Sequence, residues 1–441
     1  MAKLAPFRGI RYNPNKVEEL SRVVSQPYDR VRYGLQDEYY DLHPYNIVRI
    51  IKGRELEDDT LGHNVYSRAR DFYQTWLDAG ILLRDTGPAL YVYHQTFTLA
   101  NGTELTRRAF VSGLELAEFS EGIVLPHERT HSGPKVDRLN LLRATAVNFG
   151  QIFMLYPDAE NRINLLLDAA IDGRPPDVDV RELLEKDVRQ QMWVVTDPGV
   201  IAAVVAEMAP KTGLIIADGH HRYETALNYR DEMRMAHPDA PANAGFNYRM
   251  VTLVSMDDPG LTILPTHREM HSYTAKTTAQ VLADADEYFD IAPMADRAAL
   301  EASLAAATPT DRRIGFYDGA YFSLRLEDPE SMARIAPDRA PEWRSLDVSV
   351  LHELLIERVM GIDKERVAAM ESIEYHRDLD LAIARVDEGK AQCVFIMNPT
   401  RMVEVKACSE VGAKMPQKST DFYPKVITGL VAMPVGVTEQ L

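Results

Sequence analysis

The tightest constraint on the fold lies at residues 191–235, where one stretch of chain switches repeatedly between two periodicities. Residues 191–196 read as an apolar strand, 199–209 as a helix and 213–217 as a second apolar strand. That strand closes on Leu214-Ile215-Ile216-Ala217, enters Asp218-Gly219, and passes into a helix expected over residues 221–235. Strand, helix, strand, tight turn and helix in succession exclude an all-helical bundle and an all-β sandwich. Elsewhere, residues 90–99 and 106–112 flank Asn101-Gly102 and read as a hairpin. A helix over 64–79 places Val65, Ala69, Phe72, Trp76 and Ala79 on one side, with Gly80 as its stop. Further helices are expected at 137–149, 160–171, 277–288, 348–360 and 379–388, and further strands at 46–51, 151–156, 248–256 and 391–397. The expected fold class is α+β (mixed α/β).

A chain of 441 residues holds roughly two or three domains. The stretch 236–247, with two prolines and several small residues, reads as a linker or exposed loop. Lys and Arg total 49 against 66 Asp and Glu, a net charge of -17, which argues against coating by nucleic acid. Residues 1–8 lack the apolar core and cleavage site of a signal peptide. No window approaches the ~18 apolar residues that span a bilayer, so a cytoplasmic location is expected, with no membrane partner. Cys393 and Cys408 lie in no metal-ligand spacing and are expected as two free thiols.

The segment that carries chemistry is Asp218-Gly219-His220-His221-Arg222. Glycine permits close backbone approach, a helix N-terminus offers N–H groups to an anion, and Arg222 and the histidines add donors. A phosphate fits this spot. Asp218, His220 and His221 are also metal-ligand types, although adjacent histidines on a helix diverge. On the bland reading, Asp218 caps the helix, Gly219 makes the turn, and the His and Arg side chains face solvent. A second cluster, His127, Glu128, Arg129, His131, Lys135 and Arg138, forms a basic island in a loop marked by Pro126 and Gly133-Pro134. There a carboxylate can take a hydroxyl proton while neighbouring cations stabilise a transferred phosphoryl group; a solvated loop would carry the same residues. Lys414, Lys418 and Lys425 around Ser419-Thr420 are a third basic cluster, more often a solvated surface than a site. Tyr28, Tyr39, Tyr40 and Tyr45 line either a pocket or the core, and Arg8 and Arg49 bind either an anion or surface partners. Phosphate-binding P-loop, dinucleotide, nucleophile-elbow and protein-kinase motifs are absent.

The run from Asp218 to Arg222, continued by Tyr223-Glu224-Thr225-Ala226, resembles the phosphate-binding box of the ParB-like superfamily. That superfamily includes CTP-binding chromosome-partitioning proteins, sulfiredoxin and the ADP- or ATP-dependent free serine kinases. The chain as a whole resembles a narrower family catalogued as domain of unknown function 1015. The matching stretches are Pro6-Phe7-Arg8-Gly9, Gln26-Pro27-Tyr28-Asp29, His43-Pro44-Tyr45-Asn46, Leu125-Pro126-His127-Glu128-Arg129-Thr130, Asp137-Arg138-Leu139 and Met415-Pro416-Gln417-Lys418-Ser419-Thr420. The resemblance implies a ParB-like core at 111–235, with an N-terminal α/β region at 1–110 and a C-terminal α/β region at 248–441. It also implies a nucleotide-dependent phosphotransferase interconverting free serine and O-phosphoserine, with ADP or ATP as co-substrate. In that reading Asp218, Gly219, His220, His221 and Arg222 hold the nucleotide phosphates, and Glu128 acts as general base beside His220 and His221. His127, Arg129, Lys135, Arg138 and Lys418 are further candidate contacts, and no residue is assigned to a metal. Mg²⁺ is inferred because phosphoryl transfer needs charge neutralised between phosphate oxygens. The alternatives are a non-catalytic ParB-like nucleotide-binding regulator, and a metal-dependent phosphohydrolase using Asp218, His220 and His221.

Overall fold

Alternating burial along its strands sets how the chain is layered. The computed structural model describes residues 1–441 apart from 33, 129–131 and 186, and apart from the side chains of 132–134 and 368. The chain divides into two units. Met1–Pro126, Thr130–Thr262 and Pro424–Leu441 form the first; His127–Arg129 and Ile263–Tyr423 form the second.

The first unit is built on a nine-stranded sheet. Its strands are β1 (Leu90–Thr98), β2 (Glu104–Glu115), β3 (Val124–Pro126), β4 (Ile152–Tyr156), β5 (Val178–Arg181), β6 (Arg189–Val195), β7 (Leu214–Asp218) and β8 (Tyr248–Ser255), with the short strand Leu4–Ala5 added beside β2. They run in the order β3-β7-β4-β8-β2-β1-β6-β5. β7 is parallel to β3 and β8 is parallel to β4, while the remaining neighbours are antiparallel. The period-2 alternation separates two chemically different faces. On one, Leu90, Val92, Phe110, Met154, Ile216 and Leu253 join the main core beneath α3 (Arg162–Ile171) and α4 (Pro198–Met208), labels that follow α1 (Val65–Asp78) and α2 (Ser132–Thr145) in chain order. On the other, Tyr93, Gln95, Arg107, Gln190 and Thr252 are buried although polar. Thr252 donates to Gln151 Oε1, and the others pair with one another and with the chain after residue 423: Gln95 Nε2 donates to Gln190 Oε1 and to the Lys425 carbonyl, each at 2.9 Å, and Arg107 donates to the Pro424 carbonyl at 2.6 Å. A buried polar layer of this kind holds only when its groups find partners.

A second core lies in the same unit, where Ile10, Val23, Ile50 and Trp76 meet Leu141 and Phe149. Its helix α1 starts where Asn64 Oδ1 accepts from the Tyr66 and Ser67 amides while the Ser67 hydroxyl accepts from the Asn64 amide. That reciprocal cap fixes the N-terminus, and Gly80 at φ +65° follows its end. The strand expected at 46–51 is instead a single helical turn, Val48–Ile51. Asn46, fully buried, accepts from the Val48 amide at 3.0 Å and donates to the Arg22 and Val24 carbonyls. A short apolar run carries no periodicity to tell strand from helix, and this local cap decides it. The stretch 236–247 is no boundary between units, because it lies wholly within the first.

The second unit carries a six-stranded antiparallel sheet of β9 (His267–Met270), β10 (Phe289–Met294), β11 (Arg313–Tyr317), β12 (Tyr321–Leu326), β13 (Ile373–His376) and β14 (Cys393–Ile396), in the order β10-β12-β11-β14-β9-β13. Both cysteines are free and buried. Burial raises the Cys408 thiol to about 11 and pushes that of Cys393 higher still. Neither is expected to react with an aromatic disulfide reagent until the protein is unfolded; prompt colour from the native protein would contradict this.

Two histidines of this unit, buried His267 and half-buried His352, are held in the neutral form. Burial, then the charge of Arg268, pushes His267 down to about 4 and His352 to about 3. His267 Nδ1 accepts from the Met397 amide at 3.2 Å. Folded values below the ordinary ~6.5 mean that the unfolded chain binds more protons in between. Stability is therefore complete above pH ~6.5 and falls as pH drops toward the folded values, by about 2 kcal/mol per histidine at pH 5. The urea midpoint is expected to fall between pH 7 and pH 5, and an unchanged midpoint would contradict burial of the neutral rings. Among the described residues no helix is long and apolar enough to cross a membrane.

Candidate active site

β7 slips in register against β4 between Ile216 and Asp218, which turns the last residue of the strand out of the regular pleat. Gly219 follows at φ +99°, a left-handed conformation that strains any residue with a Cβ; a Cβ there would also stand 3.0 Å from Arg222 Nε. α5 (His220–Ala236) then begins, and Gly219 gives it no side-chain cap. The turn thus presents the positive end of a 17-residue helix beside the end of an apolar strand.

Arg222 is buried, and its guanidinium donates to Asp218 Oδ2 and to the Gln151 carbonyl. Burial works against its charge, but Asp218 and Asp29 more than offset this and leave it more basic than usual. Lys425 Nζ lies 3.8 Å from the other oxygen of Asp218. His220 is buried and His221 half-buried, so the picture of a solvent-facing His-His-Arg run does not hold. The box is an interior arrangement in which one carboxylate meets two cations.

Arg222 also lines a cleft with Tyr28, Arg138, Asn148, Thr225 and Arg249. Arg138 lies 4.0 Å above the Tyr28 ring, pairs with Asp137 at 2.6 Å and donates to the Ile51 carbonyl at 2.8 Å. Burial raises the Tyr28 hydroxyl, with Arg222 opposing the rise. Arg249 was missed by sequence reasoning. Its signal was a charged residue at the head of the otherwise apolar strand β8, where it is buried.

The other expected residues divide between the units. Lys135 pairs with Glu224 across α2 and α5 in the first unit. His127, Glu128 and Lys418 belong to the second. There the fully buried His127 ring lies 2.9 Å from Thr420 Oγ1, its carbonyl accepts from the Met415 amide at 2.8 Å, and Glu128 lies 3.9 Å from the ring. Two stretches almost three hundred residues apart in sequence thus meet. Lys418 is exposed, and its carbonyl accepts from Arg268 at 2.9 Å. Arg129 and His131 lie outside the described residues. Of the four tyrosines, Tyr28 lines the cleft, Tyr39 bonds to buried Glu182, Tyr40 lies beneath Arg49 and Arg54, and Tyr45 packs edge-on to Trp76. Arg8 donates to the Asp85 carbonyl at 3.0 Å.

Asp218 is already engaged by Arg222 and Lys425, which ill suits it to hold a divalent cation. The three-residue groups spaced to hold a metal, among the described residues, comprise Glu269, Glu374 and His376 of the second unit, and Asp218, His220 and His221 form no such group. Arg385 is already paired with that cluster, at 2.6 Å from Glu269 and 3.2 Å from Glu374.

Fold and site together define a mixed α+β protein with an interior, arginine-rich strand–turn–helix box. The family model described as "Protein of unknown function (DUF1015)" matches residues 4–349, and the chain belongs to that family. Solved structures similar to it include a conserved hypothetical protein from Pyrococcus furiosus, at 12% identity over 72% of this chain and 94% of that one, with a TM-score of 0.34. A free serine kinase in complex with AMP shows 12% identity over 72% of this chain and 90% of that one, with a TM-score of 0.34. A variant of a free serine kinase in complex with ADP shows 10% identity, coverage of 72% and 91%, and a TM-score of 0.35. No curated protein matches the chain.

Proposed function

We propose that the protein is a nucleotide-dependent phosphotransferase interconverting free serine and O-phosphoserine, with ADP or ATP as the phosphoryl carrier. The observation that carries the reading is the box itself: Gly219 at φ +99° opening a helix, with buried Arg222 and Lys425 gathered on Asp218. A helix start flanked by two fixed cations suits the phosphates of a nucleotide. The match of residues 218–226 to the ParB-like phosphate-binding box supports the same assignment.

In the forward direction the serine Oγ attacks the terminal phosphorus, and the bond from that phosphorus to the bridging oxygen breaks. The electron pair leaves with AMP or ADP, and the hydroxyl proton passes to a carboxylate. We assign that carboxylate to Glu128 on the resemblance of its sequence stretch. Box cations held in place before the reaction stabilise charge on the transferred group without reorganising. Mg²⁺ brought with the nucleotide would supply neutralisation of phosphate charge; Asp218, already engaged by Arg222 and Lys425, is not assigned to hold it.

Phosphorus NMR of the purified protein with Mg²⁺ tests the reading. One sample contains serine with ATP or with ADP; the other contains O-phosphoserine with ADP or AMP. A phosphoserine signal that grows in the first or fades in the second is expected. Nucleotide binding with no change in either sample would replace the enzyme by a regulator. Phosphate released without serine, and only with added metal, would favour a phosphohydrolase.

A further inference from the structure

The cleft beside the box contains one cation and one acceptor that the protein leaves unanswered. Arg249 is 6% exposed; it donates to the Gly150 carbonyl at 2.5 Å, and its Nε is buried without a hydrogen-bond partner. Arg138 is answered by Asp137 and Arg222 by Asp218, whereas the charges acting most on Arg249 are those same two arginines, both repelling it. Burial and that repulsion push its guanidinium down to about 9. A buried cation among like charges is costly unless an anion joins it. Asn148 is 2% exposed, lines the same cleft, and its Oδ1 is buried without a partner. An unanswered acceptor is the complement of a donor, and an ammonium is the strongest small one. The remaining wall includes Pro27, Ile51, Leu141 and Phe149, which leaves polar recognition to a few fixed points.

We infer that this cleft receives the acceptor as a free α-amino acid, with its carboxylate on Arg249 and its ammonium on Asn148 Oδ1. The inference rests on the phosphotransfer reading and adds what that reading lacks, the residues that select the acceptor's backbone charges. Arg222 belongs to both box and cleft, so an amino acid held there has its side chain beside the phosphate-binding turn. Arg249 and Asn148 are specificity residues: they hold the acceptor and take no part in bond making.

Calorimetric titration of the full chain tests this without a variant. O-Phosphoserine is expected to bind roughly 10- to 100-fold more tightly than phosphoethanolamine, which lacks the carboxylate, as for the loss of a hydrogen-bonded charge. Arg249→Gln is expected to abolish that preference and Arg249→Lys to retain part of it, with thermal unfolding confirming that both variants fold. Equal affinity for the two phosphoesters in the wild type, no binding of either, or an undiminished preference in Arg249→Gln would each overturn the inference. The two readings fail separately. Serine turnover that is indifferent to Arg249→Gln leaves the kinase standing and removes the carboxylate contact. Carboxylate-dependent binding without any phosphoryl transfer does the reverse.

Discussion

Arg222→Met is expected to lower the unfolding free energy by about 3–5 kcal/mol, the cost of breaking a buried ion pair from one side. The guanidinium serves the Asp218 carboxylate and the Gln151 carbonyl at once, and methionine answers neither. Asp218 would keep Lys425 at 3.8 Å, too distant to replace a direct hydrogen bond. Asp218→Asn combined with Arg222→Met is expected to recover part of the loss, because the carboxylate that Arg222 answered is then neutral as well. Urea unfolding of the wild type, both single variants and the double variant measures the coupling. Additive effects would mean that the pair is not a unit. Nucleotide binding should fail in the Arg222→Met protein even where it is folded, since the variant also loses a box cation.

Glu128→Gln is expected to lower kcat by about 10²–10⁴, the range for loss of a general base, while ADP affinity stays close to that of the wild type. Glutamine keeps the shape and removes the proton acceptor. The effect should therefore fall on turnover rather than on nucleotide binding. Turnover by this variant within a few-fold of wild type would remove Glu128 from the mechanism and leave the box untouched.

The strand–turn–helix at residues 214–236 was legible because three local signals coincide: an apolar run, an Asp-Gly turn and the start of a helix. The hairpin around Asn101-Gly102 and the Asn64-capped helix were legible for the same reason. The polar layer on the other side of the sheet was not. Gln95 lies between His94 and Thr96, and Arg107 between Thr106 and Arg108, polar runs that in a sequence read as solvated strand. That face is buried because partners arrive from far along the chain: the Pro424 carbonyl for Arg107 and the Lys425 carbonyl for Gln95. Nothing in the local pattern marks such a partner. The same limit applies to His127, whose position in a basic loop gave no sign that its ring would be buried against Thr420. The single helical turn at Val48–Ile51 escaped for a different reason, since a run as short as Val48-Arg49-Ile50-Ile51 fits either period.

The central claim is that residues 218–222, with Lys425, hold nucleotide phosphates. Calorimetric titration of ADP and of adenosine into the wild type, His221→Ala and Lys425→Met proteins tests it most directly. The account predicts that ADP binds the wild type far more tightly than adenosine, and that both substitutions weaken ADP by roughly tenfold or more while leaving adenosine unchanged. Equal affinity for ADP and adenosine, or ADP binding indifferent to both substitutions, would contradict it.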